Sequence, residues 1–553
     1  MLDDAGAQTE DRSLSRVDVA FARFLSQRTT FDAAQKQAFE NIVMSVSYEQ
    51  NQGHSCIQID EEARALVLAS GLAVLSGQPM SKLPLVVEQD RLYLHRYWFY
   101  ENRLAMQIRE MTKISHSVEK LDAMLDRYFG PVVGETDDQR EAAKMAVKQT
   151  FSIITGGPGT GKTTTVVKIL AVLQELADEP LHIALGAPTG KAAMRLQESI
   201  GSNKSALPCS EAIKKHIPET VTTLHCLLGA KPPSPYFRHN ADKPLIYDLV
   251  VVDEASMVDL ALMSKLLDAL KPGARLILLG DKDQLASVES GEVLADLTAA
   301  LPEHTLELKK SHRFDENIKK LAEAVNLQQE DVAWQVLRGD DENSAVLDPD
   351  LVDYVAGQQA EYLRLITAGA GFDEIYRAFS RFQVLCSNRQ GKNSVADINY
   401  RVEQRLAEQK LINLSGLWYS GRPVMVTENN ATLHLYNGDI GLCMPDKEQA
   451  GKLMVFFQRA DGSVKKYLPA RVSQCETVFA MTIHKSQGSE FEEVLIVLPE
   501  AINPVLTKEL LYTAITRAKK TIRLVVDEAV FNATVRQKVV RTTGLVDKFK
   551  TQV

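Results

Sequence analysis

Residues 151–170 read FSIITGGPGTGKTTTVVKIL. An apolar run, a glycine-rich turn and a helix-forming run follow one another, the order strand, loop, helix. Gly156, Gly157, Pro158, Gly159, Thr160, Gly161, Lys162 and Thr163 fit the pattern G-x-x-x-x-G-K-[ST] in the strand-to-helix context that this pattern requires. The glycines let backbone N–H groups close around phosphates, Lys162 reaches the β and γ phosphates, and Thr163 offers its hydroxyl to Mg²⁺. Thr164, the next residue, is counted in the same cradle. The stretch predicts an α/β domain that binds ATP with Mg²⁺.

Working outward, further short apolar strands alternate with helical runs: LHIALGA (181–187), LIYDLVVVD (245–253) and RLILLG (275–280). Each runs into a polar loop at its C-terminal end, where open parallel sheets bind ligands. A second block of this kind begins at FQVLCS (382–387) and resumes at TVFAMT (477–482), EVLIVLP (493–499) and TIRLVVD (521–527). Between its pieces, residues 416–472 carry short apolar runs with turn signals at Asn437-Gly438 and Asp461-Gly462, which predicts a small inserted β-barrel. Before Gly130-Pro131 the chain is mainly helical in pattern, with Leu14, Val17, Phe21 and Phe24 at helical spacing and a strand-like alternation from Leu83 to Tyr97. The expected plan is an N-terminal domain (1–130), a first ATPase domain (131–340) and a second α/β domain (341–553) holding the insertion.

At 553 residues, with 45% hydrophobic and 24% charged residues, the chain has material for several cores. Its first dozen residues predict a loose tail without the basic start and apolar core of a signal peptide, and no apolar run is long enough to span a membrane, so a cytoplasmic protein is expected. Cys56, Cys209, Cys226, Cys386, Cys443 and Cys475 form no C-x-x-C pair, which argues against zinc or an iron–sulfur cluster. A formal charge of −9 argues against a protein that coats nucleic acid by bulk attraction and leaves room for a narrow basic groove.

A P-loop needs a metal-side carboxylate from a neighbouring strand. LVVVDEAS supplies two: Asp253 to hold Mg²⁺ and Glu254 to polarise the attacking water. An acidic helix cap would account for one of them and not the other. RLILLGDKDQ ends a third strand at Asp281, and Gln284 beyond it is a candidate γ-phosphate sensor.

These pieces, in this order, resemble superfamily 1 helicases, and the resemblance extends across the second half of the chain. Thr136-Asp-Asp-Gln139 resembles the motif whose glutamine reads adenine, and it also fits a capping box. Ala187-Pro188-Thr189-Gly190-Lys191 and Thr222-Thr223-Leu224-His225 resemble loops that grip a strand's phosphates, and Asn388 follows its strand at a similar place. Ser311-His312-Arg313 resembles the motif whose arginine reaches the γ-phosphate. Thr482-Ile-His484-Lys-Ser-Gln-Gly488 and Thr516-Arg517-Ala518 resemble the last two motifs, with Arg517 as a second arginine finger. The resemblance implies two RecA-like P-loop domains, a catalytic set of Lys162, Asp253, Glu254, Gln284, Arg313 and Arg517, nucleotide contacts that include Gln139 and Gly488, and strand contacts at Thr189, Lys191, His225, Asn388, Thr482 and His484.

The wording GGPGTGKT, DEAS and TIHKSQGSEF is similar to the RecD-type, 5′→3′ branch, and VDVAFARFL, GHSCIQI and LYLHRYWFYENRLA resemble the partner-binding N-terminal domain of that family. The implied role is the ATP-dependent DNA helicase subunit of a RecBCD-type helicase–nuclease (exonuclease V) in double-strand break repair and recombination. Implied partners are RecB-like and RecC-like subunits in a heterotrimer, single-stranded DNA and duplex ends. An autonomous helicase and a non-motor P-loop switch remain the alternatives. Tyr93, Tyr97, Trp98, Phe99 and Tyr100 cannot all face one side of a helix, so some are expected to fill the local core, and a surplus left on the surface would mark the partner site.

Overall fold

A computed structural model describes residues 14–78, 82–131, 137–310, 316–339, 344–346, 350–430, 432–459 and 462–550. The expected N-terminal tail, Thr136 and the Ser311-His312-Arg313 motif lie outside the described residues.

The FSIIT run forms the strand Phe151–Thr155, buried at every position, inside a six-stranded parallel sheet. The strand order is Thr305–Glu307, Phe151–Thr155, Arg275–Gly280, Leu249–Val252, Ile183–Ala187, Thr222–Thr223. Strands covered on both faces are continuous apolar runs, which is why four of the six were legible. The two edge strands are two and three residues long and half-exposed, too short for any periodicity to register. The second sheet, also parallel, runs Ser344–Val346, Ala518–Val525, Phe491–Val497, Phe382–Cys386, Ala480–Thr482.

The insertion is an antiparallel five-stranded sheet in the order Val464–Tyr467, Lys452–Gln458, Ile440–Asp446, Pro423–Val426, Cys475–Thr477. Among the described residues its two outer strands do not pair with each other, so the expected barrel is an open sheet there. The apolar run at 477–482 is divided: Cys475–Thr477 closes the antiparallel sheet and Ala480–Thr482 enters the parallel one. A single buried run serves two sheets because Val478 and Phe479, both fully buried, carry the chain across.

The N-terminal residues build helices Arg16–Ser26, Ala33–Asn51 and Glu61–Ala69 around a four-stranded sheet. Ser15 and Asp18 form a reciprocal cap that starts the first helix. Of the apolar stripe expected of this helix, Phe21 packs against the core and the rest does not. Ala22 and Leu25 are buried with Asp18, whereas Leu14, Val17 and Phe24 are exposed. Asp18 tolerates burial because Ser15, Ser47 and Asn51 all donate to its carboxylate. Helix Leu121–Phe129, ahead of the expected boundary at 130, places Leu121, Leu125 and Tyr128 in the same core as the P-loop helix Lys162–Leu176.

The C-terminal residues leave the second sheet and return to the first half of the molecule. Arg541 donates to the carbonyls of Ser287, Glu289 and Gly291, Thr542 O accepts from Ser55 N at 3.1 Å, and Asp547 pairs with Arg91. This strap ends in helix Leu545–Lys550, whose Leu545 is buried in the core beneath the first sheet.

Candidate active site

Gly161 takes φ +83° and hands the chain from the loop into the helix Lys162–Leu176, a left-handed step that glycine makes without strain. A side chain at Gly161 would also meet Gln139 Nε2 at 2.4 Å. Gln139 donates to Thr160 O at 3.1 Å, so the expected adenine-reading residue is fastened to the P-loop itself. Asp137 caps its helix by accepting from Gln139 N at 2.9 Å. Lys162 Nζ donates to Gly156 O and Gly157 O at 2.5 and 3.0 Å, folded back over its own loop.

The loop opens on a cleft of about 1140 Å³ between the two parallel-sheet domains. Gln139, Lys162, Thr163, Thr164, Asp253, Glu254 and Gln284 line it from the first domain, and Glu490, Arg517 and Lys519 from the second. Asp253 ends the central strand Leu249–Val252. Burial, reinforced by the neighbouring Glu254 carboxylate, raises the Asp253 carboxyl above its ordinary range against the pull of Lys162. A buried acid that resists ionisation is a site that gains from a cation. Glu254 holds φ +51°, a left-handed conformation that is uncommon outside glycine, with its N–H on Asp253 Oδ1 at 2.9 Å.

Asp281 is pushed up to about 6, chiefly by burial. It accepts from Gln284 Nε2 at 2.9 Å and from Tyr512 Oη, across the domain boundary, at 3.1 Å. The boundary is crossed again where Leu285 N donates to Thr513 Oγ1 at 2.9 Å and Gln487 Nε2 to Leu285 O at 2.9 Å. Arg517 is 2% exposed. It donates to Thr513 O, Ser489 O and Thr516 Oγ1, and its charge faces Glu254 through the cleft.

The six expected strand contacts fall into two pairs and two separate residues. Thr189 caps helix Gly190–Lys204 and Thr223 caps the short helix carrying His225, each at the end of neighbouring strands paired at Ala187 and Thr223. Asn388 and Thr482 likewise follow neighbouring strands paired at Cys386 and Thr482. His225 is exposed, with its ring 5.6 Å from that of Phe237. Lys191 is half-buried, within reach of the charges of Arg195, Arg517 and Asp439. Burial and the adjacent Arg195 pull its ammonium down to about 8, against attraction from Asp439. His484 faces a different cleft, shared with the 282–288 loop and the strap, where burial lowers it.

Sequence reasoning passed over Arg195 and Lys519, and gave no role to Glu490 and Tyr512 although both lie within the last two motifs. Arg195 lies one turn beyond Lys191, in a spacing that puts both on one side of the helix. Its NH1 donates to Gly488 O at 2.8 Å and its NH2 pairs with Glu490. Gly488, expected at the nucleotide, thereby serves through its carbonyl, and it packs against Ala192.

Three family models match the chain: the N-terminal domain of RecBCD enzyme subunit RecD over residues 10–73, an AAA domain over 139–290 and a UvrD-like helicase C-terminal domain over 477–525. The RecBCD enzyme subunit RecD of Mycolicibacterium smegmatis is 38% identical over 543 residues, 94% of this chain and 95% of that protein. The subunit of the same name from Haemophilus influenzae is 36% identical, over 86% of this chain and 83% of its own. The ATP-dependent RecD2 DNA helicase of Deinococcus radiodurans is 32% identical over 75% of this chain, which spans 53% of that protein. With such identity across nearly its whole length, the chain belongs to the RecD family of RecBCD enzyme subunits.

Proposed function

We propose that the chain is an ATP-driven 5′→3′ DNA helicase acting as one subunit of a heterotrimeric helicase–nuclease in double-strand break repair and recombination. Its partners would be RecB-like and RecC-like subunits, and its substrates single strands and duplex DNA ends. One observation carries the reading: Lys162, Asp253 and Glu254 from one parallel-sheet domain and Arg517 from the other line a single cleft. A nucleotide bound on the P-loop and touched by an arginine from across the boundary draws the domains together, and its hydrolysis lets them part. A simple nucleotide switch has no need of that second-domain arginine.

Thr163 and Asp253 would hold Mg²⁺, which when bound neutralises charge on the phosphates. Glu254 is the proposed base that takes a proton from water, Gln284 the sensor of the terminal phosphate, and Arg313 the further finger. For the strand, Thr189, Thr223 and Thr482 each accept from a backbone N–H of the helix they start, at 3.2, 3.2 and 3.3 Å. The remaining free N–H groups of those helix starts suit phosphate. Thr189, Lys191, His225, Asn388, Thr482 and His484 are the proposed contact set, with His484, which faces the other cleft, needing the domains to move before it reaches the strand. The proposed domain plan remains 1–130, 131–340 and 341–553, with helix Leu121–Phe129 completing the first ATPase core and the strap returning to it.

The subunit reading is favoured over an autonomous motor because RecBCD subunits of two genera match over 95% and 83% of their length, against 53% for the stand-alone RecD2 helicase. Unwinding of duplexes with a 5′ or a 3′ overhang tests the proposal. ATP-dependent opening of the 5′-tailed duplex alone is expected. A 3′ preference would overturn the polarity, and hydrolysis indifferent to single strands would overturn the motor.

A further inference from the structure

The cross-domain contacts of Asp281 and Leu285 all anchor the loop beside the P-loop strand. Arg195 makes a contact of another kind. It stands on helix Gly190–Lys204, which starts at Thr189 on the edge proposed for the strand, and it reaches across the cleft to Gly488 and Glu490 of the second domain. The Glu490 side chain is 8% exposed, and its other oxygen lies 3.5 Å from Lys519 Nζ. Segment 488–490 thus gives Arg195 a carbonyl from Gly488 and a carboxylate from Glu490. Between them, Ser489 O accepts from Arg517 NH1 at 3.3 Å. Three consecutive residues hold the arginine of the strand-side helix and the proposed finger together.

A surface ion pair in this place would count for little. Here the carboxylate is desolvated, so losing its guanidinium leaves a poorly compensated buried charge, and the segment must shift to relieve it. Any displacement of helix Gly190–Lys204 is transmitted through the same two bonds. Resting on the helicase reading above, we propose that Arg195 is a positioning residue that couples strand occupancy to the arginine finger: a strand bound at Thr189 sets the helix, Arg195 sets segment 488–490, and that segment sets Arg517.

Steady-state ATPase of the full chain, titrated with oligo(dT) and with ATP, tests this on Arg195→Ala, Glu490→Gln, the double variant and Arg195→Lys. Arg195→Ala and Glu490→Gln should each cut the ratio of strand-saturated to strand-free turnover by tenfold or more, with KM for ATP moving less than threefold. The double variant should be no worse than the poorer single one, and Arg195→Lys should recover part of the ratio. Loss of folded protein lowers both rates equally and leaves the ratio alone, so a reduced rate at an unchanged ratio overturns the proposal. Multiplying effects in the double variant, or a defect confined to KM, would overturn it by making Arg195 a nucleotide ligand independent of Glu490. A wild-type chain without strand stimulation removes the helicase reading and this inference together, whereas a stimulated wild type with unaffected variants removes only the inference.

Discussion

Lys162 and Arg517 both face the nucleotide cleft, but they differ in what the fold asks of them. Among the described residues Lys162 donates to two carbonyls of its own loop, so its removal costs the structure little. Lys162→Ala is expected to abolish ATP hydrolysis and unwinding while melting as the parent does; turnover above a tenth of the parent's would sink the assignment. Arg517 is buried and satisfies Thr513 O and Ser489 O, so truncation to alanine leaves buried acceptors unpaired at about 1–3 kcal/mol as well as removing the finger. Arg517→Lys keeps the charge and separates the two effects. Both variants should retain nucleotide binding and lose turnover by roughly 10³-fold, as arginine fingers do, with the larger drop in melting temperature for alanine. A change in nucleotide affinity alone, read by equilibrium titration, would assign Arg517 another task. These two residues were legible because the chemistry fixes their neighbours in the chain. Arg195 was not, since its partner Gly488 lies 293 residues away and neither segment announces the other.

At the scale of elements, the buried strands were readable from apolar runs, the edge strand Ala480–Thr482 included, and the half-exposed edge strands Thr222–Thr223 and Thr305–Glu307 were not. The insertion was found through its turns, but whether its outer strands meet is a matter of tertiary closure that no local pattern encodes. The strap was missed altogether, because Arg541, Thr542, Thr543 and Gly544 carry no periodicity and owe their place to the seat that receives them. That seat is tight: a Cβ on Gly544 would lie 1.9 Å from Tyr93 Oη. It is also acidic. Glu101 accepts from Ser55 Oγ and Gly544 N, and Asp296 accepts from Thr543 Oγ1 at 2.8 Å. Burial, with Glu101 and Glu292 nearby, pushes Asp296 up to about 7. The folded-state value lies above the ordinary one of about 3.9. The stability linked to this group is therefore fully present below pH 4 and is lost as pH rises through 7. Asp296→Asn removes the charge that must be buried at high pH, so it should raise the unfolding midpoint at pH 8 and raise it by less at pH 5. Equal shifts at the two pH values, measured by thermal melts, would show that Asp296 is ionised in the seat throughout.

For the whole molecule, the sequence suggested a separable N-terminal domain with aromatic residues to spare for a partner. Tyr93, Tyr97 and Trp98 are at most 9% exposed and belong to internal clusters, against which Phe99 and Tyr100 pack half-buried, so the core-filling part of the expectation accounts for all five. Helix His95–Thr112 sends Leu104 and Ile108 into the core below the first sheet, and helix Leu121–Phe129 adds Leu121, Leu125 and Tyr128 to the core above it. Cutting at residue 130 therefore opens two ATPase cores, at about 2–5 kcal/mol for each large side chain lost, and the strap loses its seat with them. Deletion of 1–130 is expected to abolish soluble ATPase. Besides Met106 and Ile114, the exposed apolar side chains of the domain gather on the outer face of its first helix, where Val17 is 72% and Phe24 52% exposed, with Leu14 just before it. None of these contributes to the core, so changing them tests docking without touching folding. Val17→Asp with Phe24→Asp should leave strand-stimulated ATPase of the isolated chain within twofold of the parent while eliminating co-purification with the proposed RecB-like and RecC-like subunits. Because charge placed in the apolar centre of an interface is left without water or a counter-ion, two such changes suffice to break a contact of ordinary size. Complex formation that survives both would move the docking surface to another face of the chain.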